Sequence, residues 1–104
     1  MFDRVTGFDW DENNKAKCQK HGVSLAEIEA LFAANEFTVF EDDLHSLSED
    51  RFRAIGRNPG GRHIFLGFTF RSRADQTLIR VFTARYMHNK EIQNYAQKAA
   101  HPEN

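Results

Sequence analysis

The chain has 104 residues, 40% hydrophobic and 28% charged, with ten phenylalanines and a formal net charge of −1. That size suits a single domain over 1–104 with one hydrophobic core, and the aromatic content excludes a disordered chain. The longest apolar stretch, Ile64 to Phe70, is far below the ~20 residues of a bilayer-spanning helix; the opening Met1-Phe2-Asp3-Arg4 has no signal-peptide pattern and Cys18 is the only cysteine, so a cytoplasmic protein without an internal disulfide or membrane segment is expected.

Phe8 and Trp10 alternate with Asp9 and Asp11, which predicts a short edge strand or anchoring turn ahead of a helix starting near Asp11. Good helix formers fill Glu12 to Lys20, basic residues fall late where they complement the helix dipole, and His21-Gly22 closes the helix. Ser24 and Glu27 form a capping box that opens a second helix, Leu25 to about Phe32, with Leu25, Ile28, Leu31 and Phe32 on its apolar face. Phe37 to Glu41 has strand character, and the polar stretch Asp42 to Asp50 reads as a mobile loop. Three strands follow at Arg51–Arg57, Arg62–Arg71 and Thr77–Arg85, separated by the turns Asn58-Pro59-Gly60-Gly61 and Ser72–Gln76, which makes an antiparallel meander. The middle strand is apolar on both parities, as expected when helices cover one face and something else approaches the other. Gly56 and Gly67 suit either close backbone approach or a bulge. His88 to Lys98 is a final helix with Ile92 and Tyr95 on its packed side, and Ala99 to Asn104 a frayed tail.

The near-neutral total hides an asymmetry. Residues 1–50 hold four bases against twelve acids, a net of −8; residues 51–104 hold ten bases against three acids, a net of +7, and eight of those bases are arginines between Arg51 and Arg85. A local field of arginines recruits and orients phosphate, although a surface balanced for solubility accounts for the charge equally well. The five histidines are scattered without paired ligand spacing, no nucleotide-binding glycine loop is present, and Cys18 lies inside a helix, so neither a metal, a nucleotide cofactor nor a thiol nucleophile is expected. RNA cleavage by its own 2′-hydroxyl needs positive charge at the pentavalent phosphate with proton donors and acceptors nearby, and requires no metal. Arg53 and Arg80, on the first and third strands of the meander, are candidates to project toward a common ligand. Arg85 suits a phosphate or an ion pair to Glu91 equally. His21 has the intrinsic pKa of a proton carrier and Lys20 beside it adds charge, while a histidine before a terminal glycine commonly caps its own helix. Tyr86 and Tyr95 suit base stacking or proton donation, with packing the commoner role for such aromatics.

Several segments together resemble the BrnT toxin family, the ribonuclease half of a bacterial type II toxin-antitoxin system. They are Phe8-Asp9-Trp10-Asp11-Glu12, Lys20-His21-Gly22-Val23-Ser24, Glu49-x-Arg51-Phe52-x-x-Ile55-Gly56 and Ile79-Arg80-Val81-x-Thr83-Ala84-Arg85, with Glu91 and Tyr95 beyond. The resemblance implies an α+β fold of RelE-like type, in which two N-terminal helices pack on an antiparallel meander followed by a C-terminal helix. It also implies metal-independent, cofactor-free RNA cleavage that inhibits growth, and neutralisation by a BrnA-like ribbon-helix-helix antitoxin through which alone operator DNA would be bound. Carried over by position, it points to Lys20, His21, Arg53, Arg80 and Arg85 as the functional set, with Glu91 second. The site expected on that basis has His21, Arg53, Arg80 and Arg85 as catalytic, Lys20, Arg51, Arg57 and Tyr86 as RNA-binding, and Glu91 and Tyr95 in support. One departure is that similar proteins often continue into a strongly basic helix where this chain reads Tyr86-Met87-His88-Asn89-Lys90, which leaves room for an attenuated toxin. The rival reading is a catalytically silent module whose arginine surface binds RNA or docks the antitoxin.

Overall fold

The computed structural model describes residues 4–41 and 50–100, with the side chains of Glu41 and of 98–100 excepted. The expected loop from Asp42 falls, but for Asp50, outside the described residues, as do the last four residues of the expected tail. The elements run β1 (Val5–Phe8), α1 (Glu12–Gln19), α2 (Leu25–Ala34), β2 (Phe37–Glu41), β3 (Phe52–Arg57), β4 (His63–Arg73), β5 (Gln76–Tyr86) and α3 (Asn89–Ala100). Among the described residues this is a mixed α+β arrangement of three helices and a five-stranded sheet with strand order β1-β5-β4-β3-β2.

The meander from β2 to β5 is antiparallel throughout, as the short turns require. The sheet as a whole is not, because β1 pairs with β5 in parallel, Phe8 lying opposite Ile79. A parallel neighbour needs a long crossover, and the whole α1-to-β4 segment supplies it. β4 and β5 run longer than expected, because their link tightens to Ala74 and Asp75, both at positive φ (48° and 69°) as a two-residue hairpin turn demands.

Helix ends follow local chemistry. The Ser24–Glu27 box is formed in both directions at 3.1 Å, and a second box, unforeseen from sequence, joins Asp11 to Asn14. α1 stops where Gly22 N–H donates to the Gln19 carbonyl, with Gly22 at φ 92°. α2 extends two residues past the expected Phe32 and closes on Asn35 in the left-handed region.

The core lies between α2 and one face of the sheet. Ile28 and Leu31 of α2 are fully or almost fully buried, with Ala54, Ile64, Leu66, Phe68, Val81 and Ala84 from the strands. Phe32 sits edge-on to Phe68 at 5.4 Å between centroids. Burying each large aliphatic or aromatic side chain of this set stabilises the fold by about 1.5–3 kcal/mol before conformational entropy is subtracted. Gly56 lets α2 approach: a Cβ there would stand 2.8 Å from Leu31 Cγ.

α1 packs largely through polar contacts. Its buried residues are Asn14 and Cys18, and it is anchored by polar contacts to β5: Asn14 Nδ2 donates to the carbonyls of Asp9 (2.8 Å) and Val81 (3.2 Å), and Cys18 Sγ donates to Val81 O (3.4 Å). Those bonds satisfy a strand carbonyl beyond the end of β1 that would otherwise be buried without a partner.

One irregularity sets which side chains share a face. Gly67 pairs with Thr83 and Phe68 with Val81, so Phe82 is an extra residue in β5, a β-bulge. Gly67 is where it has to be, since a Cβ there would meet the Phe82 ring at 2.8 Å and the Thr83 methyl at 2.9 Å. Substituting Gly67→Ala forces either the ring or the bulge to move and should cost about 1–3 kcal/mol in urea unfolding, the range seen for overpacked sites; an unchanged midpoint would show that the ring relocates freely.

Candidate nucleic-acid interface on the arginine face

Register places the arginines. β3 and β4 are regular, so Arg53 (opposite Gly67), Arg57 (opposite His63), Arg71 and Arg73 project from the face that α2 does not cover. Arg80, opposite Thr69, is on that face too. Five residues on, Arg85 would point the other way in a regular strand; the bulge at Phe82 returns it to the same side, opposite Phe65. Arg51 joins them, its guanidinium 4.8 Å from the Phe82 ring centroid. Seven of the eight arginines thus share one sheet face, and Arg62, stacked 3.8 Å over the Tyr86 ring, is the exception.

These arginines do not form one cluster. Arg80 is held between carboxylates at the β1 end: Nη1 lies 3.4 Å from Asp9 Oδ2, Nη2 lies 2.9 Å from Asp11 Oδ2, and its side chain is 18% exposed. Arg73 reaches the same Asp9 at 3.3 Å. The Asn14 backbone N–H and then Arg80 hold the Asp11 carboxyl below its usual range. This clamp ties the start of α1 to the sheet.

At the other end of the face α3 crosses the strands. Arg85 and Glu91 form a two-bond fork at 2.7 and 2.8 Å, with the Arg85 guanidinium 4.8 Å over the Phe65 ring. Glu91 also accepts from the His88 backbone N–H at 3.0 Å, so it caps α3 while it orients the arginine. Arg85 and then that N–H pull the Glu91 carboxyl down to about 2, and Arg85 is raised in turn. Tyr95 shares a 2.7 Å hydrogen bond with the Thr38 hydroxyl. Between α3 and the sheet is a cleft of about 310 Å³ whose lining includes Arg53, Phe65, Glu91 and Tyr95. Arg53 is at 6.0 Å from the Phe40 ring and makes no ion pair among the described residues.

Lys20 and His21 are exposed and lie elsewhere. The neighbouring Gly22 packs near Tyr86, whose hydroxyl donates to Glu27 at 2.7 Å on the α2 side of the sheet. His21 and Tyr86 are therefore across the sheet from Arg53 and Arg85. Asn58, then Tyr86 and the α2 capping N–H, hold Glu27 at about 2, and the same bond raises Tyr86, so its proton is held more tightly than a free phenol's.

Sequence reasoning passed over three residues of this face and its cleft. Phe40 looked like an ordinary strand residue, yet it is the exposed large hydrophobe among the described residues, at 37%. Asn94 lines the cleft. His63 was set aside with the scattered histidines, but it sits on the arginine face with its ring 6.3 Å from that of Tyr95, and burial followed by Arg57 lowers its pKa. Alternation along β4 would have put His63 beside Phe65; only the position of α3 reveals Tyr95 next to it. Among the described residues no three His, Cys, Asp or Glu side chains gather as a metal site would require, and no helix is long and apolar enough to cross a membrane.

The geometry is that of a mixed α+β chain with a guanidinium-lined sheet face and an aromatic cleft beside it. The model of the family described as the ribonuclease toxin BrnT, of type II toxin-antitoxin systems, matches residues 10–91, and the chain belongs to that family. A comparison with curated proteins gives no match.

Glu27 and Glu91, the two carboxylates held near 2, fix an acid response. Both have folded values near 2 against a usual 4.5, so their stabilising effect is complete above pH 4.5 and is lost as pH falls from about 4.5 toward 2. Glu27→Gln should make that acid limb of melting temperature against pH shallower and lower stability at pH 7 by about 1 kcal/mol, a modest figure because the group is partly solvated. An acid limb identical to that of the parent would sink this account.

Proposed function

We propose that the chain is the endoribonuclease toxin of a type II toxin-antitoxin pair, acting in the cytoplasm without metal or cofactor on a RelE-like scaffold, and that it works at the cleft under α3. The observation that carries this reading is that the cleft is lined by Arg53, which has no ion pair among the described residues, and by Glu91 and Phe65, which hold and orient Arg85, with the Tyr95 hydroxyl in the same lining.

In this mechanism the RNA 2′-oxygen attacks the adjacent phosphorus, the new O–P bond forms, and the P–O5′ bond breaks with a proton delivered to the leaving oxygen. Arg53 and Arg85 neutralise the equatorial charge of the pentavalent phosphate. Glu91, held near 2, is too weak a base to take the 2′ proton and serves to aim Arg85. His63, neutral at pH 7, is the best base on this face, and the Tyr95 hydroxyl is the nearest donor for the 5′-oxygen. Arg51 and Arg57 extend the phosphate-binding surface on either side. Arg80 acts by holding α1 and the edge of the face, and Lys20 and His21, with Tyr86, by guiding RNA or antitoxin along the opposite side. A ribbon-helix-helix antitoxin covers the arginine face in the resting complex and supplies the operator contacts.

A second reading has its own support. Arg80 and Arg85 are already matched by carboxylates of the same chain, as in a silent module that only docks RNA or an antitoxin. Incubation of purified protein with RNA in EDTA separates the two. Cleavage is expected, with Arg53→Ala and Arg85→Ala each slowing it about a hundredfold and His63→Ala removing its acid-side pH dependence. RNA left intact, with growth unaffected by expression, would establish the silent module.

A further inference from the structure

We propose that the cleft between α3 and the sheet seats one unpaired nucleobase, so that the protein selects single-stranded RNA; this rests on the ribonuclease reading above and adds to it a specificity site. The argument starts from its walls. Phe40, Ile55, Phe65 and Met87 make most of the lining apolar, while Asn94 and Tyr95 offer a carboxamide and a hydroxyl on the α3 side. At about 310 Å³ the space falls at the small end of the roughly 300–1,000 Å³ of ligand pockets, enough for a flat heterocycle and too little for a base pair.

Charge then says what kind of flat group belongs there. Two aromatic residues of this cleft each carry a guanidinium, Arg53 at 6.0 Å from Phe40 and Arg85 at 4.8 Å from Phe65. An apolar slot with cations at its rim fits a molecule that is flat and uncharged in one part and anionic in the next, which is the repeating chemistry of a nucleic-acid strand. The exposure of Phe40 also finds a reason, since a stacking ring has to face the incoming base. In an A-form duplex the bases are stacked inside and the major groove is too narrow for side chains, so only a strand with splayed bases places one in the cleft. Asn94 supplies both a donor and an acceptor toward the base edge.

The test uses a 2′-O-methyl oligoribonucleotide, which lacks the attacking hydroxyl, with 2-aminopurine at one position, alone or annealed to its complement. The expected result is binding of the single strand at least tenfold tighter than the duplex, with a change in 2-aminopurine fluorescence. Phe40→Ala and Asn94→Ala should weaken single-strand binding between about fivefold and a hundredfold and leave duplex binding as it was. Equal affinity for both forms overturns the proposal, as does a folded Phe40→Ala that binds the single strand like the parent. If Phe40→Ala weakens the antitoxin complex while RNA binding persists, the cleft is the partner's and the proposal also fails. Cleavage of unmodified RNA is followed in parallel: equal cleavage of single and double strands keeps the ribonuclease and rejects the base site, whereas Phe40-dependent single-strand binding without any cleavage does the reverse.

Discussion

The extra residue at Phe82 is the constraint on which the basic face depends. Arg80 and Arg85 are five residues apart, and alternation in an unbroken strand would send them to opposite sides of the sheet, one of them under α2. The bulge returns Arg85 to the side of Arg53, and it exists because Gly67 leaves the room that the Phe82 ring fills. Phe82 in turn supports the Arg51 guanidinium. A missing side chain on β4 thereby decides where three charges on the neighbouring elements point.

Seven guanidinium groups on one face repel each other, and the fold handles this in two ways. At the β1 end Asp9 and Asp11, from the acidic first half of the chain, neutralise Arg80 and part of Arg73. Toward α3, Arg53 and Arg85 lie near rings, and Glu91 is the counter-charge to Arg85. The opposite charges of the two halves are thus partly matched within the molecule, which the split of −8 against +7 does not reveal by itself. Among the described residues Arg53 has no carboxylate partner, so there a phosphate would meet a cation without displacing one of them.

Local chemistry was legible in the sequence and long-range geometry was not. The Ser24–Glu27 box, the Gly22 stop, the meander and the late helix follow from short-range rules, and their limits lie within about two residues of expectation. The parallel pairing of β1 was invisible, because four residues carry no signal about a strand seventy positions away. α1 itself was legible from its helix formers and its stop, but its anchors were not: they are an asparagine and a thiol bonded to a strand carbonyl, and no hydrophobic period announces them. Of the expected site, the type and spacing of the arginines were legible in the sequence. Their sidedness and the separation of His21 from Arg53 needed the bulge and the crossing of α3.

The Cys18–Val81 contact has a practical side. The thiol is wholly out of solvent, desolvation pushes it up to about 11, and it is spent on a strand carbonyl. With no other cysteine in 104 residues, the folded chain offers a blank background to maleimides and other alkylating labels. A cysteine introduced at an exposed position of α3 such as Gln93 would then be the sole reactive handle, and its dye would report directly on how that helix moves against the strands.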